Sequence, residues 1–165
     1  MTSLSTLDRP LKIFISTYIL IVSVGFFIGL AFIKTTSDLK PSTIVEHYNG
    51  SDPNNENAVE LKFEKSVKDL LMTTHNHLLG LSSIFFITGL LFYYTTAVKP
   101  AFKFFLMIEP FLSLLLTFGG IWIVRFLWEP FVFLVILSGI LMFISFGLMN
   151  ILIFRELWFV KEKNS

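Results

Sequence analysis

The sequence predicts an all-α integral membrane protein: four transmembrane helices in an up-down bundle, with one long extracytoplasmic loop between helices 1 and 2. Three observations predict it. Apolar residues make up 54% of the 165-residue chain against 15% charged, with a mean hydropathy of +0.73. A water-soluble fold of this size would have to expose much of its twenty phenylalanines. Four windows are long enough to cross roughly 30 Å of hydrocarbon at ~1.5 Å per helical residue. None alternates in polarity as barrel strands do, and in lipid every backbone amide needs an internal partner, which leaves helices.

The chain reads as a single membrane domain over residues 1–165, with spans near 11–33, 76–98, 102–125 and 130–155 and an outer loop over 34–75. The first span is uncharged from Ile13 to Ile33. It reads as a retained helix, because its apolar run exceeds a signal-peptide core and no small-x-small site follows at Ala31-Phe32-Ile33-Lys34. In the loop, Asn49-Gly50-Ser51-Asp52-Pro53-Asn54-Asn55 is dense turn chemistry and also matches the N-glycosylation pattern. Val59, Leu61 and Phe63 alternate with Glu60, Lys62 and Glu64, the pattern of a short extended stretch. Ser66 with Asp69 three residues on forms a capping box, so the second membrane helix should begin near Val67 and enter the bilayer without a break. The third span carries one charge, Glu109, followed by Pro110, which should kink the helix. The fourth is uncharged but holds Asn150. Very short links around Lys99-Pro100 and from Arg125 to Pro130 force antiparallel neighbours, and both prolines suit first-turn positions.

Four crossings put both termini on one side, which holds seven basic residues in short flanks (Arg9, Lys12, Lys99, Lys103, Arg155, Lys161, Lys163) against six on the other. The positive-inside bias therefore places the termini in the cytoplasm, and a bacterial inner membrane is the expected location. The net charge of +1 recruits no nucleic acid. The absence of cysteine excludes disulfides, iron–sulfur clusters and covalent haem attachment.

Candidate functional residues are few. Imidazole is the usual ligand for haem iron and many transition metals, so His75, His77 and His47 are the candidates for a b-type haem or a metal, with His75 and His77 the closest in sequence. Two residues apart on a helix, His75 and His77 point about 200° away from each other and cannot chelate one ion unless that turn unwinds. The periodicity groups His75 with Leu71, Leu78, Leu79 and Ser82 on the bundle face, with His77 elsewhere. Glu109 is an ionisable group inside a membrane window, which makes it a candidate for proton or ion handling. Arg125 and Glu129 flank the short outer turn four residues apart and are expected to pair, with Trp122 and Trp128 as interfacial anchors. Gly25 and Gly29 form a GxxxG step that serves either self-association or packing within the chain. Asn150 could bond across helices or to headgroups.

No nucleotide, hydrolase or metalloprotease motif is present. The expectation is a small accessory or structural membrane subunit, without enzymatic activity of its own, that packs in the bilayer against other membrane subunits or itself. The alternatives are a haem- or metal-binding redox bundle using His75 near the outer face, and an oligomeric transporter or channel using Glu109.

Overall fold

The computed structural model describes residues 3–38, 40–51, 61–96 and 98–160. A single 3-10 turn (Leu4–Thr6) leads into α1 (Arg9–Ser37), followed by α2 (Pro41–Asn49), α3 (Val67–Tyr93), α4 (Pro100–Phe126), a second 3-10 turn (Glu129–Phe131) and α5 (Val132–Phe159). Four of these helices, α1, α3, α4 and α5, are long and apolar enough to span a membrane. Among the described residues there is no strand.

The segment between the first two spans is not one continuous loop. Residues 34–37 complete α1, 41–49 form α2, and 67–75 are the first turns of α3. α3 starts where the capping box requires, with the Ser66 hydroxyl accepting from the Asp69 amide at 3.2 Å. Its other end is earlier than the hydrophobic run implies: residues 94–96 leave the helix through tight turns, Tyr94 and Thr95 amides bonding to Leu91 and Phe92 carbonyls. The Lys103 ammonium then caps the freed carbonyls of Tyr93 and Thr95, a cation where the helix dipole favours one. The turn-rich 52–55 and the start of the alternating stretch, 59–60, lie outside the described residues. Residues 61–66 are irregular, tied back through the Ser51 amide to the Lys62 carbonyl.

α4 and α5 make the most extensive packing in the bundle. Their axes come together at Gly120, where an added Cβ would lie 2.6 Å from a Val135 methyl and 3.0 Å from the Phe131 ring. Glycine is required here by close approach. α4 continues through Pro110 as one helix, and Pro110 is buried. α3 lies against both, burying Leu70, Phe85, Thr88 and Phe92. α2 lies across the end opposite the termini and packs Ile44, Val45 and Tyr48 onto Leu70, Ile121, Val124 and Val132.

α1 is the peripheral element. It is pinned through its first half by Ile15 and Ile19 in the terminal-end core, and by Phe26 stacked on Phe146 at 4.4 Å between ring centroids. From Phe27 to Thr35 every residue is exposed. Nothing lies within 4 Å of a Cβ added at Gly25 or Gly29, so the GxxxG step does not pack inside this chain.

Candidate functional site

Polar side chains that the membrane makes costly are concentrated at three levels of the bundle. At the terminal end, Glu156 is fully buried on α5. It accepts from the Ser3 hydroxyl (2.7 Å), from the Thr96 amide at both carboxylate oxygens (2.8 and 2.6 Å) and from the Thr96 hydroxyl (3.2 Å). One carboxylate thus joins the N-terminal turn, the α3–α4 link and α5. It gives no sequence signal beyond being an acid near the end of a hydrophobic run.

Within the span, Glu109, Ser113 and Thr117 recur every four residues along one side of α4. Glu109 is only 6% exposed; one carboxyl oxygen takes the Ser113 hydroxyl, and the other is buried with no partner among the described residues. Thr117 bonds Ser138 of α5 at 2.8 Å. Because Pro110 has no amide hydrogen, the Leu106 carbonyl one turn earlier is also left without its helical donor. Asn150, 5% exposed, reaches across to α1 and donates to the Ser23 hydroxyl at 3.3 Å, so of its two expected uses it takes the interhelical one.

At the end opposite the termini, the expected Arg125–Glu129 pair does not form. The Arg125 guanidinium pairs instead with Glu64 at 2.7 Å and lies over the Phe126 ring, while Glu129 accepts from the Asn49 amide at 2.8 Å. The tight turn at residues 127–131 is the reason: it fixes Glu129 at the head of a 3-10 turn beside α2, while Arg125 stays in the last turn of α4 beside residues 64–65. The same Asn49 amide also approaches the Val124 carbonyl, so this side chain is engaged against the bundle and is poorly placed to carry a glycan. The Trp122 indole donates to Thr74, tying α4 to α3. Glu46 is held below the ordinary carboxylate range, first by the Ser51 hydroxyl and then by Lys62.

The three histidines sit in different settings. His75 is exposed, as are Leu71 and Leu79, whereas Leu78 packs on the Phe85 and Leu114 core and Ser82 is half-buried, so the face expected to meet the bundle is split. The inward stripe instead runs through Leu70, Thr74, Phe85 and Phe92, about 100° round the helix. His77 lies beside that stripe, its ring stacked on Phe118 of α4 at 4.4 Å and its Nδ1 2.8 Å from the Thr73 carbonyl, to which it donates. His47 belongs to α2, edge-on to Tyr48; burial, followed by Lys65 and Lys62, lowers its pKa from the ordinary histidine value. Among the described residues no three His, Asp or Glu side chains come together as a metal-binding group.

Residues 37–164 match a family described as a transmembrane helical domain. The matched range covers α2 to α5 and leaves α1 outside except for its last residue. Comparisons with curated proteins and with solved structures give no match.

Proposed function

Since the chain belongs to the Aq_1264_TM family of transmembrane helical domains, we propose that it acts as an accessory membrane subunit whose α1 docks against a helix of a larger membrane partner. The observation that carries this reading is the exposure of residues 27–35 on every face of α1, directly beyond a Gly25/Gly29 step with open space over it. In a bilayer, helices associate by close van der Waals packing at small residues, and such a surface is what a partner helix needs. The rest of the bundle holds itself together without α1's outer half, because α4, α5 and α3 supply most of the packing. The proposal places the chain in a bacterial inner membrane with cytoplasmic termini, supported by the excess of short-flank basic residues on the terminal side.

The test is the native mass of the protein extracted in mild detergent, for the wild type and for Gly25→Leu with Gly29→Leu. A larger heteromeric assembly that dissociates in the variant supports the reading. A wild type that runs as one chain in its micelle overturns it, and a pure multiple of the chain replaces the larger partner with self-association.

A second reading draws on Glu109. A carboxyl that is nine-tenths buried, with one oxygen unpartnered among the described residues and a proline-freed carbonyl one turn away, supports proton or cation handling along α4. Loss of proton or cation flux in liposomes carrying Glu109→Gln is the expected result; unchanged flux removes it.

A further inference from the structure

A groove of about 500 Å³ runs between α1 and α5 at the terminal end of the bundle. Its walls are apolar, chiefly Ile19 and Leu20 from α1 with Ile151 and Phe154 from α5. Arg155 stands at its mouth and Asn150 at its inner end, five residues or about 7 Å apart along the axis. Beside the mouth, the Trp158 indole donates to Ser16 of α1 at 2.8 Å. Tryptophan at that position marks the water–lipid boundary, so the Arg155 guanidinium lies at headgroup depth and the groove extends inward among acyl chains.

Two further features point to the occupant. The neighbouring acid, Glu156, is turned into the bundle and fully engaged by Ser3 and Thr96. The ion pairs among the described residues are Lys62–Glu46 and Arg125–Glu64, which leaves the Arg155 fork with no carboxylate there. Arginine in this situation suits a phosphate, which it can hold by two parallel hydrogen bonds. The same face carries Arg9, Lys12, Lys99 and Lys103 against Asp8, an excess of positive charge that favours a headgroup of net negative charge over a zwitterion. At the inner end, Asn150 closes the groove by donating to Ser23 of α1, with its Oδ1 buried and without a donor among the described residues.

We propose that the α1–α5 groove is a binding site for an anionic phospholipid, with its phosphate on Arg155 and one acyl chain lying along Leu20 and Ile151. The lipid fills the seam by which α1 is attached and so fastens α1 to the bundle.

The experiment is native mass spectrometry of the full chain, purified in detergent and incubated with phosphatidylglycerol or phosphatidylcholine. The wild type retains one phosphatidylglycerol in preference to phosphatidylcholine. Arg155→Gln reduces retention about tenfold, and Leu20→Trp, which blocks the groove without altering charge, reduces it equally, while Lys34→Gln at the opposite membrane face retains the wild-type level. Far-UV dichroism shows that each variant is folded. Equal retention of the two lipids by the wild type, or undiminished phosphatidylglycerol in both folded groove variants, overturns the proposal.

Discussion

Glu156→Ala should destabilise the protein out of proportion to its place in the last two turns of α5. The side chain is fully buried and serves three donors: the Ser3 hydroxyl, the Thr96 amide and the Thr96 hydroxyl. A hydrogen bond to a carboxylate is worth about 1.5–3 kcal/mol in a closed site. Thr96 is exposed and Ser3 half-buried, so water recovers part of each bond after truncation. Taking about 1 kcal/mol for each donor gives a loss of about 3 kcal/mol, reduced somewhat because a buried carboxylate no longer has to be desolvated. Glu156→Gln keeps one acceptor oxygen and the side-chain volume, and should cost about 1 kcal/mol. The assay is unfolding in detergent followed by circular dichroism, combined with hydrogen exchange at the Thr96 amide. In the alanine variant that amide should lose protection together with the N-terminal turn, whose Leu4 is buried in the same end of the core. An alanine variant within about 0.5 kcal/mol of the wild type, with Thr96 still protected, would show that the clamp contributes nothing and that the ends are held by apolar packing alone.

Gly120→Ala should lower stability by about 1–2 kcal/mol, since the new methyl meets Val135 and Phe131 and overpacking exceeds the ~1 kcal/mol gained in helix propensity. Gly139→Ala meets nothing within 4 Å and should be neutral or stabilising; parallel unfolding curves in one detergent decide both. At the end opposite the termini, Glu64→Gln should change stability by less than about 0.5 kcal/mol, because Glu64 is mostly exposed, whereas Arg125→Ala should cost about 1–2 kcal/mol by also removing the contacts to Phe126 and the Lys65 carbonyl. His47 has a folded pKa below its unfolded value, so it makes no demand at neutral pH. As pH falls through the ordinary histidine range the unfolded state takes up the proton first, and α2 should loosen there, detected as faster hydrogen exchange over 41–49 that His47→Gln abolishes.

Hydrophobic length and the shortness of the links made the four spans legible, and the Ser66/Asp69 pair located the start of α3, because these signals act within one element. Facing and partnership were less legible, for a reason specific to lipid. In water, an apolar stripe marks the buried face; here Leu70 is inside and Leu71 outside, both equally apolar, so periodicity cannot say which way the helix is turned. Periodicity alone therefore turns His75 inward, whereas the inward stripe passes through Thr74. The Arg125–Glu129 expectation failed in a related way. Sequence spacing makes them neighbours, yet the intervening turn sends each to a partner more than sixty residues away, Glu64 for one and Asn49 for the other. Glu156 is the extreme case: its three donors come from positions 3 and 96, and no local pattern could disclose them. Glu109 was legible as a charge out of place, but its orphaned oxygen becomes visible only once the helices are packed. In a bundle whose surface and interior are equally greasy, polar side chains carry the information on how helices are oriented, and that information is nearly all long-range.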